Sequence, residues 1–577
     1  MSLHLPHRER AVAWLAQDQD PVTKKELQDL LAAVDKNDEA AIKDLMERFE
    51  GMLEFGTAGL RGILGAGPQR MNRVLVRRVA MGLGMYLLAN VKEAKRLGVL
   101  IGRDARRNSK EFSEDSARVL GGLGIKVFLA HRPWPTPTTA WAVVEKKACA
   151  GVMVTASHNP PAYNGYKVYW SNGAQIVPPH DTGIAAAIDK VDHPTPDQLP
   201  ELDDLRRDGL LIDLDESLHD DYLDKVIALR AQKLDGQEND LTIAYTPLHG
   251  VGALSVEGAL KKGGFPKFFT EKSQREPDPE FPTVAFPNPE EKGAMDKVLA
   301  LATEKKADLV LANDPDADRL CVALPTADGT YAPLTGDQVG VLLADYLLTV
   351  GPADKRMVAT TIVSSQLLSF LAKEEKADYR ETLTGFKWIG NAAIDYEREH
   401  HGRFVVGYEE ALGYSVGPLV RDKDGVSAAL IFAELTAWNR ARGKTVRDHL
   451  DDIYRKVGLF VTEQVSLTKP GAEGMIQIKA AMAKFRGDPP KQLGGHVIEE
   501  VVDLSKSDGK FPPSDVLVFK LAGGRRVIMR PSGTEPKLKS YYEVRIPVKG
   551  NEPIADARKR GLEDLGKLRD AHQALLK

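Results

Sequence analysis

Cysteine is nearly missing from this chain of 577 residues: there are two, Cys149 and Cys321, each beside a predicted strand. Two isolated thiols exclude a disulfide framework and a cysteine-built metal site, which points to a reducing compartment. Long apolar runs are missing too. The greasiest segment, Val79–Val91, is broken by glycines and falls short of the ~20 residues that a membrane span needs. The opening MSLHLPHRERAVAWL lacks the basic, apolar, small-residue order of a secretory signal. Nor is there an excess of one charge: the net charge is −4, which excludes a field that would gather nucleic acid or an acidic membrane. The expectation is a cytoplasmic protein without nucleic-acid or membrane partners, whose basic residues act locally.

What is present is ordinary globular material, 43% hydrophobic and 28% charged, in a chain long enough for roughly four domains. The first 50 residues read as amphipathic helices capping the first domain. A strand at Gly98–Gly102, a helix, a strand at Gly124–Leu129 and the apolar run Gly151–Val154 then form the strand–helix–strand pattern of a parallel sheet. The pattern recurs with strands at Leu241–Ala244, Phe265–Thr270 and Asp308–Ala312. It recurs again between Arg356–Val363 and Arg403–Gly407, with helices at Ser364–Glu374 and Asn391–His401. Residues 192–215 and 324–335 read as linkers. After about residue 455 the texture changes to alternating strand-like runs, as in a smaller α+β domain. The expected fold is therefore α/β: three similar βαβαβ mixed-sheet domains, residues 1–205, 206–325 and 326–455, and a C-terminal domain, 456–577, around a central cleft.

Each unit of the repeat ends in a polar loop. After Gly151–Val154 comes TASHNPP, which presents Ser157 at the C-terminal edge of a sheet, where ligands of open α/β folds bind. After Asp308–Ala312 comes NDPDADR. If Asp314, Asp316 and Asp318 alternate along an extended chain, their carboxylates converge on one point. Three such pairs about 5 Å apart would repel by ~10 kcal/mol at an effective dielectric of ~20, which a hard cation would relieve. An all-oxygen set with room for a phosphate oxygen suits Mg²⁺. Arg319 stands where an EF-hand loop needs glycine, so that calcium motif is excluded.

Three further stretches carry chemistry. FGTAGLRG is glycine-dense, which lets backbone amides approach an anion, and Arg61 adds a planar cationic fork; a tight helix–strand connection would look similar. GYEEALGY places Glu409 and Glu410 as acceptors for vicinal sugar hydroxyls, or equally as a solvated loop. RPSGTEPK gathers a guanidinium, two hydroxyls, a glycine amide and a lysine within eight residues, a full donor set for a phosphate dianion.

Taken in order, these strings resemble the α-D-phosphohexomutase family over nearly the whole chain. FGTAGLRG, NGYKVYWSNGAQI, NDPDADRL and GFKWIGN are most similar to its phosphoglucomutase/phosphopentomutase branch. The resemblance implies that Ser157 holds the transferable phosphoryl group, with Asp314, Asp316 and Asp318 binding Mg²⁺ against it. Arg61 and Arg319 would steady the phosphoryl in flight. Lys167, His158 and Lys387 would be the candidates for general acid and base. Glu409 and Glu410 would hold sugar hydroxyls, and Arg530, Ser532, Gly533, Thr534 and Lys537 the phosphate that is not transferred. It further implies glucose 1-phosphate and glucose 6-phosphate as substrates and glucose 1,6-bisphosphate as intermediate and activator. The protein would act as a monomer or weak homodimer, its C-terminal domain swinging while the intermediate reorients. One departure stands out: Ala411 occupies a place where many phosphoglucomutases carry serine, which leaves the sugar open between hexose and pentose. A phosphomannomutase, a glucose 1,6-bisphosphate synthase, a phosphatase and a non-catalytic sugar-phosphate sensor are the alternatives. The distal phosphate loop argues against the phosphatase, and intact Ser157, Lys167 and aspartates argue against the sensor.

Overall fold

Three helices, Leu5–Gln17, Pro21–Val34 and Glu39–Phe49, open the chain. Asp20 and Asp38 cap the second and third by accepting the first free backbone amides, those of Val22 and of Ala40 and Ala41. Their apolar faces meet in a small core of Leu27, Leu31, Leu45 and Phe49. This computed structural model describes residues 5–56, 59–232, 234, 236–469, 471–506, 511–532 and 537–576. Among the described residues no helix is long and apolar enough to cross a membrane.

The chain has a four-domain α/β architecture and divides into two compact units. The first unit comprises Met1–Thr335, Phe386–Glu397 and Leu412–Trp438; the second comprises Gly336–Gly385, Arg398–Ala411 and Asn439–Lys577.

The first unit contains two sheets. One has six strands in the order Gly59–Ile63, Tyr163–Trp170, Ala150–Val154, Val99–Arg103, Val127–Ala130, Leu211–Leu214. Its last four strands are parallel and Tyr163–Trp170 runs antiparallel to both of its neighbours, so the sheet is mixed. Ala150–Val154 is buried at every position, as an apolar strand covered on both faces must be, with helices Ser109–Gly122 and Thr136–Glu145 against the sheet. The second sheet has five strands, in the order Tyr331–Pro333, Cys321–Pro325, Leu309–Ala312, Ile243–Thr246, Phe268–Thr270.

Both expected linkers carry structure. Residues 192–215 contain helix Leu202–Arg207 and strand Leu211–Leu214, whose alternation of buried ends with exposed centre is too short to register as a period. Residues 324–335 lie largely in a hairpin at the edge of the second sheet, with Pro325 on the turn-proximal pair and Pro333 on the pair farthest from the turn. The strand Tyr163–Trp170 was also hidden, because NGYKVYW reads as polar loop until its partner on either side is known.

In the second unit, Asp378–Thr382, Arg356–Thr361 and Arg403–Glu409 pair in parallel. Glu409 is thus the last residue of a strand, not a loop residue. Six antiparallel strands follow, in the order Leu459–Thr468, Lys537–Ile546, Arg525–Pro531, Leu517–Leu521, His496–Asp503, Gln492–Leu493. Helix Ile554–Leu575 packs on the first two. Neither that helix nor Lys537–Ile546 follows from the sequence patterning above.

Candidate active site

Ser157 sits directly beyond the buried strand Ala150–Val154, where the chain turns sharply: its φ is +53°, in the left-handed region. Its amide donates to Thr155 Oγ1 at 2.8 Å, and Asn159 N closes a turn onto the Ala156 carbonyl at 3.1 Å. That local pairing holds a strained conformation that a serine alone would not adopt. The side chain is 3% exposed, and its hydroxyl donates to Asp314 Oδ2 at 2.8 Å. His158 Nδ1 lies 3.2 Å from Ser157 Oγ.

Asp314, Asp316 and Asp318 are fully buried, with ligand oxygens within 4.8 Å of one another. They converge through a turn and not along an extended chain: Ala317 N donates to the Asp314 carbonyl at 2.9 Å and Ala317 has φ +55°. An extended segment would space alternate carboxylates too widely for one cation. Lys167, midway along Tyr163–Trp170, reaches Asp316 Oδ2 at 2.8 Å and Asp318 Oδ2 at 2.9 Å. Lys423 reaches Asp318 Oδ2 at 3.2 Å, and Thr136 Oγ1 donates to Asp316 Oδ2 at 2.6 Å.

The charges set one another. Burial pushes the Asp314 carboxyl well above the usual range, and the neighbouring Asp316 and Asp318 push it the same way. Burial acts similarly on Asp316 and Asp318, but the Lys167 ammonium at Asp316, and Lys167 with Lys423 and Arg319 at Asp318, outweigh it and both lie below the usual carboxylate range. Lys167 responds in kind: burial pulls it down, the two aspartates more than offset this, and its pKa is raised. Burial, then the Arg319 and Arg61 cations, hold His158 well below 6.5, so its ring is neutral.

One oxygen of Asp316 and one of Asp318, the Oδ1 atoms, are buried without a hydrogen-bond partner. Unpaired buried carboxylate oxygens cost several kcal/mol unless a cation meets them, and three carboxylates with no softer donor fit a hard divalent ion. Among the described residues this is the one such acidic cluster.

Arg319 N donates to Asp314 Oδ1 at 3.0 Å, and its guanidinium lies 4.0 Å from Asp314 Oδ2. Arg61 Nη1 donates to Asn159 Oδ1 at 3.1 Å. Its strand lies so close to the next that a Cβ on Gly59, φ +127°, would meet the Tyr166 carbonyl oxygen at 1.9 Å. Lys387 opens helix Phe386–His400, its ammonium 5.1 Å above the Trp388 ring and its pKa lowered by burial.

The second unit carries the other expected residues. Glu409 Oε1 accepts from Gly385 N at 2.7 Å. Glu410 Oε2 accepts from Ser364 Oγ at 3.0 Å, and Glu410 N donates back to Ser364 Oγ at 3.1 Å. Arg530 is the last residue but one of the strand Arg525–Pro531, and Ser532 N donates to the Lys537 carbonyl at 2.7 Å, which brackets the phosphate-type loop. Gly533 and Thr534 lie outside the described residues. Burial and the negative Glu410 raise the pKa of the Tyr541 hydroxyl while the Arg530 cation lowers it, so the charges of Glu410 and Arg530 both act on this hydroxyl.

Sequence reasoning missed Arg106, Thr136, Lys423 and Tyr541. Arg106 is 4% exposed and donates to four carbonyls of the serine loop: Ser157 and Asn159 at 2.6 Å, Pro160 at 2.9 Å and Tyr163 at 3.2 Å. The available signal was its place in RDARR, a charged turn straight after a buried strand. Lys423 had a comparable signal in RDKDG.

Scaffold and cluster together define a class, the phosphoryl-transfer enzymes of α/β architecture. All four domain families of the phosphoglucomutase/phosphomannomutase group match: α/β/α domain I over residues 52–195, domain II over 220–328, domain III over 335–457 and the C-terminal domain over 477–559. A probable phosphomannomutase of Haemophilus influenzae is 41% identical, covering 82% of this chain and 93% of its own. A phosphopentomutase of Mus musculus is 36% identical, covering 96% and 92%. A phosphoglucomutase of Staphylococcus epidermidis is 35% identical, covering 89% and 96%. The chain belongs to the phosphoglucomutase/phosphomannomutase family of the α-D-phosphohexomutases. It is a phosphosugar mutase, an isomerase acting by phosphoryl transfer.

Proposed function

We propose that this mutase interconverts glucose 1-phosphate and glucose 6-phosphate through a phosphoserine at Ser157 and a bisphosphorylated sugar. The observation that carries the reading is the 2.8 Å bond from the Ser157 hydroxyl to Asp314 within a buried carboxylate cluster. In the first half-reaction a sugar hydroxyl attacks the phosphorus on Ser157. The Oγ–P bond breaks as the new O–P bond forms, and the hydroxyl proton leaves to a base. His158, neutral and beside Oγ, is suited to accept it; Lys167, held protonated by Asp316 and Asp318, is suited to return a proton to the Ser157 oxygen. Asp314, Asp316 and Asp318 would hold Mg²⁺, which when bound neutralises charge on the phosphoryl oxygens. Arg61 and Arg319 add fixed positive charge on the same side.

On this reading Glu409 and Glu410 accept sugar hydroxyls, while Arg530, Ser532, Gly533, Thr534 and Lys537 hold the distal phosphate. Lys387 is a reserve proton carrier, its lowered pKa being its support. The working segments are 1–205, 206–325, 326–455 and 456–577. The enzyme acts in the cytoplasm on small phosphosugars, as a monomer or weak homodimer, with glucose 1,6-bisphosphate as activator.

A pentose phosphate is the second reading. Ala411 supports it by removing a hydroxyl contact from the sugar loop, as does the similarity to a phosphopentomutase. The test is an assay with Mg²⁺ on glucose, ribose and mannose 1-phosphates in parallel, with and without catalytic glucose 1,6-bisphosphate. Turnover of glucose 1-phosphate that rises with the bisphosphate supports the first reading. A pentose rate well above the hexose rate replaces it with the second, and release of free phosphate alone overturns both.

A further inference from the structure

Three buried ionisable side chains in the second unit converge on one short loop, Ile362–Gln366. Arg526 donates to the Ile362 carbonyl at 2.9 Å and also to the Ser364 carbonyl. Asp337 Oδ1 accepts from Ser365 N at 2.8 Å. Glu543 accepts from Gln366 N at 3.0 Å and from Gln366 Nε2 at 3.0 Å. Arg526 and Glu543 face each other across the strands Arg525–Pro531 and Lys537–Ile546, joined Nε to Oε1 at 2.8 Å. Arg526 is 6% exposed and Glu543 2%. A buried ion pair contributes little net stability, because desolvation offsets attraction, so its retention here calls for another explanation.

The loop's other contact supplies one. Ser364 Oγ is the donor to Glu410 Oε2 and the acceptor for Glu410 N, with Thr361 Oγ1 at 2.9 Å completing the set. These two bonds tie the Glu410 carboxylate and its own backbone amide to one hydroxyl on the clamped loop, so the loop's position bears on the direction of the carboxylate. Arg526 and Glu543 belong to the C-terminal sheet, whereas Ser364 and Glu410 belong to the third α/β domain. The strand that carries Arg526 runs on to Arg530 in the phosphate-type loop.

We propose that Arg526 and Glu543 are positioning residues that transmit the seating of the C-terminal domain, through the clamped Ile362–Gln366 loop and Ser364, to the orientation of the Glu410 carboxylate. The inference rests on the reading of Glu410 as a sugar-hydroxyl ligand. A contact to hydroxyls distant from the reacting phosphorus is made equally in ground and transition states. Loosening it therefore raises KM and leaves kcat largely in place.

The test compares Arg526→Met, Ser364→Ala, Glu410→Gln and the double variant Arg526→Met/Glu410→Gln, using whichever of glucose 1-phosphate and ribose 1-phosphate the wild type turns over faster. Melting temperature is followed alongside. The expected result is a KM raised about tenfold in each single variant with kcat within about threefold, and a double variant no worse than Glu410→Gln alone. Ser364→Ala leaves the Arg526–Glu543 pair intact, so it reads the relay even if Arg526→Met fails to fold. Wild-type KM in Ser364→Ala, or multiplied KM effects in the double variant, would overturn the relay. A fall in melting temperature and kcat with unchanged KM would assign the pair a merely structural role. Wild-type KM in Glu410→Gln would instead sink the sugar-ligand reading, and the relay with it.

Discussion

The Arg106 guanidinium donates to the carbonyl oxygen of Ser157 at 2.6 Å from 51 residues earlier in the chain. It thereby holds the serine loop from beneath, leaving the hydroxyl side free for Asp314. Asp104, 3.3 Å away and buried, balances its charge. The strained φ of Ser157 is thus maintained by a planar fork that meets several carbonyls at once, which an ammonium cannot do.

Arg106→Lys should keep the charge and lose the fork. The expected outcome is a kcat lower by about a hundredfold with KM within about threefold, since the loop positions the reacting oxygen and not the distal sugar. Arg106→Ala should in addition strand Asp104 and lower stability by about 3–5 kcal/mol, measured by urea unfolding. Equal kcat in both variants and wild type would remove Arg106 from the argument.

Ser157→Ala should abolish transfer and leave the fold in place, because the side chain contributes only its hydroxyl contacts with Asp314 and His158 to the scaffold. Circular dichroism and the mutase assay check the two halves. Full activity would overturn the assigned nucleophile.

Mg²⁺ should stabilise the wild type by about 2.7 kcal/mol at a hundredfold excess over its dissociation constant. Asp316→Asn and Asp318→Asn should lose most of that shift. Asp314→Asn should raise the melting temperature without Mg²⁺, since burial and two neighbouring aspartates already disfavour its charge. Thermal shift with and without Mg²⁺ reads all four proteins. An Mg²⁺ response that survives in every variant would place the ion elsewhere.

Lys167→Met should be costly, about 3–5 kcal/mol, because it leaves Asp316 and Asp318 buried without their ammonium. Added Mg²⁺ should recover part of the loss and none of the activity. Recovery of activity would show that Lys167 moves no proton.

Asp337 gives a pH dependence of definite sign. Burial pushes its carboxyl up to about 8 from the ordinary 3.8 of an aspartate. Between those values the folded chain holds a proton that the unfolded chain has released, so stability falls as pH rises, by up to ~1.4 kcal/mol per pH unit from this group. Asp337→Asn keeps an acceptor for Ser365 N and should flatten that slope, gaining most over wild type near pH 8. Unfolding by urea at pH 5, 6.5 and 8 is the check, and parallel slopes in the two proteins would contradict it.

Much of the α/β organisation was legible because buried parallel strands are continuous apolar runs and their polar loops stand out against them. Ala150–Val154 and Leu309–Ala312 lie within one residue of their expected starts. Strands with mixed neighbours were not legible. Asp378–Thr382, DYRET, has no apolar run, and Tyr163–Trp170 draws its burial from pairing on both sides. The same limit hid Lys423, whose partner Asp318 lies far back in the chain.

By itself the sequence determined which residue types exist to act: a serine before histidine, three aspartates in five positions, paired glutamates and a cationic loop. Those are local strings, fixed by covalent neighbourhood. Tertiary structure alone decided their charge and direction. Lys167 is held protonated because a strand brings it between Asp316 and Asp318, about 150 residues on. Glu410 is oriented because Arg526, on another domain's sheet, anchors the loop of Ser364. Protonation and aim depend on burial and on partners distant along the chain, and both arise only when folding removes water from between them.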